Sequence, residues 1–243
     1  MNRHVAIMAS MVLGAAVFAQ PAEAQLNGLP VYFNPRGGSG LMLAVDYGRG
    51  VNDDAGKANT FAARASLGIG PFSLGGGIGA SDVGGTSGDD YELQYMGNAA
   101  LRIFGGGLLP VSLSVQAGIG ILDISDLDTK LITFPIGIGL GINVPTPVFS
   151  FDPWIAGRYT LHRNEIGTMP RFDQNAWGVS GGVDLNFLMG LGLHVSVDWE
   201  SISEETTAAP FTGLASKPFV FGIGLHYVFT IPGLPGVPIV PGI

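Results

Sequence analysis

The 243-residue chain has no cysteine. No disulfide can hold it, so its fold rests on a core, on closure of a sheet or on a bilayer. Charge is scarce too: Asp, Glu, Lys and Arg make up 12% of the residues, against about 25% in ordinary soluble domains. The net charge of −8 speaks against nucleic acid or anionic headgroups as partners, since both attract basic patches. Beyond the first twenty residues there is no hydrophobic run of the roughly 20 residues that a bilayer-crossing helix needs. Yet mean hydropathy is +0.38. So much apolar surface needs a destination other than a helix.

What is present begins with Arg3 and His4 ahead of an apolar run from Val5 to Ala19. Pro21 and the small-residue exit Ala22-Glu23-Ala24 follow. This pattern reads as a secretory signal peptide over residues 1–24, cleaved before Gln25. In the remainder, 39 glycines and 16 prolines in the whole chain oppose long helices and favour strands joined by turns.

Ten stretches alternate apolar and small or polar residues: Leu41 to Arg49, Phe61 to Ile69, Phe72 to Ala80, Tyr91 to Phe104, Val111 to Leu122, Leu131 to Val144, Phe149 to His162, Ala176 to Phe187, Leu191 to Ser201 and Phe219 to Phe229. Period two over such lengths predicts strands. Their connections alternate between short (Gly70-Pro71, Leu188 to Gly190) and longer polar segments around Asp53, Gly85, Asp126, Gly167 and Thr207. Short turns on one rim and longer loops on the other fit an antiparallel up-and-down transmembrane β-barrel of about ten strands, eight being the alternative. In the tenth stretch Phe219, Phe221, Ile223, Leu225, Tyr227 and Phe229 share a face opposite Val220, Gly222, Gly224, His226 and Val228. A soluble barrel would carry Lys and Glu on its wet face. Here the second face is mostly Gly, Ser, Asn and Thr, which suits a crowded lumen, while the oily face suits lipid. Pro135 and Pro153 fall inside strands, where local bulges are expected.

The last stretch, Gly222-Ile223-Gly224-Leu225-His226-Tyr227-Val228-Phe229, resembles the C-terminal signal by which the barrel-assembly machinery recognises outer-membrane proteins. Gly224, Tyr227 and Phe229 match its glycine and its spaced aromatic positions. By pattern, the chain resembles the small Gram-negative outer-membrane β-barrel proteins of the OmpA- and OmpW-like superfamily. That resemblance implies the cell outer membrane as location, with its lipids and the assembly machinery as partners. Residues 25–39 are then expected to be a periplasmic N-terminal segment, 40–229 the barrel and 230–243 a Pro/Gly-rich tail.

Threading the strands up and down places a set of charged groups in the lumen. Arg102, Asp152, Asp184, His194 and His226 fall toward the periplasmic end, and Asp46, Glu92, Arg158, Asp198 and Glu200 toward the loop end. Arg64 and Gln116 fall near the middle. They form either a network of paired charges filling the barrel or the lining of a narrow passive pore for small solutes. The three-residue turn at Leu188-Met189-Gly190, with Gly190 left-handed, sets Asp184 opposite His194. An enzyme is not expected. His194-x-Ser196 with Asp198 and Glu200 has a nucleophile and a base, but alternate residues of a strand stand about 6–7 Å apart, too far for a direct hydrogen bond. No cofactor or metal is expected: Asp126-x-Asp128 lacks the glycine and glutamate of a calcium loop, and no zinc or dinucleotide pattern is present. Beyond a structural or pore-like role, a non-conducting surface-interaction barrel is the alternative, and a monomer is favoured.

Overall fold

A computed structural model describes residues 26, 28–30, 40–82, 91–106, 109–124, 128–168, 171–206, 212–213 and 215–231. The expected signal peptide and the tail beyond residue 231 lie outside these. The strands in chain order are β1 (Gly40–Gly50), β2 (Asn59–Ile69), β3 (Phe72–Asp82), β4 (Tyr91–Gly106), β5 (Leu109–Ile124), β6 (Thr129–Ile142), β7 (Val144–Pro145), β8 (Phe149–Ile166), β9 (Phe172–Phe187), β10 (Leu191–Ile202), β11 (Glu205–Thr206), β12 (Thr212–Gly213) and β13 (Phe219–Phe229). Among the described residues no helix is long and apolar enough to cross a membrane.

Ten of these strands close a barrel. Each of β1 to β5 pairs antiparallel with its successor; β6 pairs with β8, then come β9, β10 and β13, and β13 returns to β1. The short β7 continues the β6 edge against β8, while β11 and β12 form a separate two-stranded ribbon. All ten expected alternations are wall strands, so the eight-stranded alternative falls.

The period of two decides which side chains meet what. In β13 Phe221, Leu225, Tyr227 and Phe229 are exposed on the outer face, while Val220, Gly222, Gly224, His226 and Val228 are buried on the inner one. From Phe219 to Phe229, ten steps of about 3.3 Å tilted about 40° rise about 25 Å, the height of an outer-membrane apolar band. Aromatic pairs mark both edges of that band. Tyr47, Phe61 and Tyr91 stack at the loop side, with Tyr159 on Trp177; Phe149 meets Phe187, and Tyr227 meets Phe229, at the short-turn side. An apolar exterior this continuous far exceeds the few hundred Å² tolerated on a water-soluble monomer.

The prolines do not make bulges. Pro135 pairs with Thr160 and Pro153 with Val183 in registers unchanged on either side of them. On its other edge Pro135 only interrupts the β5–β6 ladder, which resumes in the same register: a missing donor costs rungs without adding a residue. Register shifts lie instead in β4, between Arg102 and Phe104 and between Gly105 and Gly106. At the first of them the extra residue turns both Ile103 and Phe104 outward.

Of the expected N-terminal segment, 25–39, the described residues Leu26 and Leu29 are buried against the inner wall. A Cβ at Gly79 of β3 would lie 3.2 Å from Leu26 Cδ1, and one at Gly48 of β1 would lie 2.7 Å from Leu29 Cδ2. The reason is apolar: two leucines leave water for a stretch of wall without side chains.

Candidate functional site

Two clusters of charged groups cross the lumen. The first starts on β2, where Arg64 donates from Nε (2.5 Å) and Nη2 (3.0 Å) to the two oxygens of Asp46 on β1. Asp46 Oδ1 also accepts from His194 Nε2 on β10, at 2.6 Å. His194 Nδ1 faces His226 Nδ1 at 3.2 Å, so one of the two carries the proton of that contact. His226 Nε2 meets Asn186 Oδ1 at 2.9 Å. Asn186 Nδ2 donates to Asp152 Oδ2 (2.8 Å), and Asn143 donates to the other oxygen of Asp152. A hydrogen-bonded path thus runs from the middle of the barrel to the short turn after β6.

The second cluster lies across β8 and β10. Arg158 donates in a fork to Asp198, Nη1 to Oδ1 at 2.5 Å and Nη2 to Oδ2 at 2.7 Å, and its Nη2 is 3.4 Å from Glu200 Oε1. Thr160 donates to the same Glu200 oxygen at 2.7 Å. His162 Nε2 is 3.2 Å from Glu200 Oε2, at ion-pair distance but poorly aligned for a hydrogen bond. Both carboxylates are 0% exposed, so the guanidinium is what makes their burial tolerable.

Both clusters depend on missing side chains. Asp46 is in register with Gly224, and Gly224 with His194. A Cβ at Gly224 would lie 2.4 Å from both Asp46 Oδ1 and His194 Nε2. Gly178 stands in the same way between Arg158 and Glu200, and Gly192 between Asn186 and His226; their Cβ atoms would fall 2.5 Å from Arg158 Cζ and 2.1 Å from His226 Nε2. Two side chains two strands apart meet because the strand between them offers only backbone.

The structure therefore brings together Asp46, Arg64, Asp152, His194 and His226 in one cluster and Arg158, Asp198 and Glu200 in the other. Asp46 belongs with His194 rather than with the loop-end set in which its position along the strand placed it. Asp184 is opposite His194, as the turn predicts, with Gly190 at φ 86° and Met189 left-handed as well. His194 nevertheless directs Nε2 to Asp46 and Nδ1 to His226. Glu92 faces inward opposite Ser81, apart from both clusters. Arg102 covers Gly106 and reaches the Gly70 carbonyl at the short-turn rim. Gln116 donates to Ser114 and shares a small cavity with Arg158 and Ser180. The sequence reading missed His162, Thr160, Asn186 and Asn143. Strand parity was the available signal for three of them, because 160 and 162 share the face of Arg158, and 186 that of Asp184.

The three residues matched to the assembly signal divide. Gly224 lines the lumen, whereas Tyr227 and Phe229 are exposed outside at the short-turn edge, rings 4.6 Å apart. Replacing Tyr227 and Phe229 together by Ala is expected to lower the folded amount in the membrane, read as the heat-modifiable band on a gel. If removing residues 230–243 abolishes folding while the aromatic changes do nothing, recognition lies in the tail.

At the loop end, the segment after β1 is pinned to the residues that lead into the neighbouring strand β13. Asn52 Oδ1 accepts from Ala55 N and Phe219 N, and Asp54 accepts from Lys217 N. Lys57 Nζ, 2.8 Å from Asp53, holds that exposed carboxyl below its ordinary range by hydrogen bond and charge. Among the described residues no three His, Asp or Glu side chains are grouped to hold a metal.

No protein-family model matches the chain, and no curated protein matches it by sequence. Its fold is similar to the β-domain of the Bordetella autotransporter BrkA (TM-score 0.50, 11% identity, 79% of this chain and 100% of that one). It is also similar to the Neisserial surface protein A (0.38, 15%, 79% and 99%) and to the Escherichia coli outer-membrane protease OmpT (0.41, 11%, 79% and 95%). A closed antiparallel barrel of ten strands, oily outside and polar inside, is the fold of the outer-membrane β-barrel proteins. The chain has the up-and-down form of that fold.

Proposed function

We propose that this protein resides in the outer membrane as a non-conducting barrel, a structural wall element whose lumen is filled by its own side chains. The carrying observation is the pair of charge clusters: Asp46, Arg158, Asp198, Glu200, His194 and His226 all face the lumen and are at most 5% exposed. In a water-filled pore these would be the wettest groups of the wall. Catalysis is not part of this reading. Both nitrogens of His194 are directed at Asp46 and His226, and Ser196 Oγ has no hydrogen-bond partner among the described residues, so no base faces that hydroxyl. Lipids against the apolar band and the assembly machinery at β13 are the partners, with the monomer as the working form.

The test is planar-bilayer recording of the refolded protein, with cell fractionation beside it. Fractionation with the outer membrane and a current without unitary steps are the expected results. Steady single-channel steps would overturn the closed lumen in favour of a pore, and recovery in the soluble periplasm would overturn the location.

A further inference from the structure

The wall is uneven at the loop end of the lumen. On β1, β2 and β3 the inner face there is made of Gly48, Gly50, Thr60, Ala62, Gly79 and Ser81, which leaves a shallow bay. Farther round the same end the inner face turns apolar, beginning beside Gly50 with Val220 of β13 and continuing with Ile202 of β10, Phe172 of β9, Leu131 of β6 and Leu122 and Ile124 of β5, all buried. Such a layer contradicts the polar character of the rest of the lumen. Facing water, it would be unfavourable, so something apolar has to cover it.

The turn at residues 26–30 has the required shape and chemistry. Leu29 N donates to Leu26 O at 3.1 Å, and Gly28 takes φ 77° to close the turn. Gly28 presses on Thr60, where a Cβ at 28 would fall 2.4 Å from Thr60 Oγ1, and its carbonyl oxygen would lie 2.2 Å from a Cβ at Gly48. Leu26 is 1% exposed, Leu29 2%, and Pro30 is fully buried beside them. The bay accepts the turn only because Gly48 and Gly79 carry no side chain.

We propose that Leu26 and residues 28–30 form an apolar plug seated in this bay, and that the plug keeps water and solutes out of the loop-side half of the lumen. Its hold is non-covalent and made of small contacts, so it can be removed without breaking the wall. The bay behind it is lined by backbone and by the hydroxyls of Thr60 and Ser81, which hydrogen-bond each other at 2.6 Å.

The chain contains no cysteine, so single thiols report cleanly. Ser81→Cys is introduced into the full mature protein and into a form lacking residues 26–30, and each is treated with a membrane-impermeant maleimide. Lys57→Cys, on the exposed first loop, calibrates both. Ser81→Cys is expected to be protected in the full protein and to react at least about tenfold faster without the plug, while Lys57→Cys stays unchanged. Equal rates in the two backgrounds, whether fast or slow, overturn the proposal. If the shortened form does not fold by gel mobility, the full-length pair Leu26→Asn/Leu29→Asn replaces it with the same expectation. These readouts concern the loop-side half alone, so they can fail while the barrel remains non-conducting, and the reverse.

Discussion

Arg158→Met is expected to lower the unfolding free energy of the barrel by about 3–5 kcal/mol, the usual penalty for leaving buried charge without its partner. The estimate rests on geometry. The guanidinium forks onto Asp198 and reaches Glu200, and both carboxylates are sealed from solvent. Methionine fills similar volume, so packing changes little and the loss is electrostatic. A second variant separates this from simple damage to the lumen. Arg158→Met/Asp198→Asn/Glu200→Gln removes all three charges and is expected to recover more than half of the loss, because neutral groups cost far less to bury than ions. Urea unfolding in detergent, followed by tryptophan fluorescence, measures both; Trp154 faces the lumen on β8, where it reports. A single variant within about 1 kcal/mol of wild type, or a triple variant no better than the single, would show that the cluster is incidental to stability.

The wall was legible in the sequence because lipid outside and a packed lumen inside act on alternate residues of the same strand. Phe219, Phe221 and Ile223 against Val220, Gly222 and Gly224 is a pattern no other environment explains well. The 184–194 register was legible too, since a three-residue turn leaves little freedom of pairing. What met what inside was not. Asp46 and His194 are 148 positions apart and meet only because β13 closes the barrel between β1 and β10. Depth along each strand, read separately, assigned them to opposite ends. The irregularity lies in β4 and not at the prolines, because a missing donor adds no residue to a strand, and its signature in the sequence is the two successive outward apolar residues Ile103 and Phe104. The residue 26–30 turn was hidden for another reason: nothing local in Leu26 to Pro30 indicates that its partners are glycines on strands still to come.

Gly224→Ala is expected to be far more damaging than an added methyl in a strand normally is. The new Cβ would stand 2.4 Å from Asp46 Oδ1 and from His194 Nε2, closer than real atoms approach. Either the two side chains part, losing a charge-assisted hydrogen bond of about 1.5–3 kcal/mol, or the strands shift, at about 1–3 kcal/mol for overpacking. Because β13 is the closing strand, the loss falls on the seam of the barrel. Gly224 is also part of the pattern that resembles an assembly signal, so a lower folded yield alone would not tell the two roles apart. A double-mutant cycle does. In the His194→Ala background the ring is gone and only Asp46 remains near the added methyl. Gly224→Ala is therefore expected to cost at least about 1 kcal/mol less there than in wild type. If the machinery reads the glycine itself, yield in cells falls equally in both backgrounds while the purified proteins unfold at the same urea concentration. Equal cost of Gly224→Ala in unfolding, with and without His194, would remove the argument that this glycine exists to let Asp46 and His194 meet.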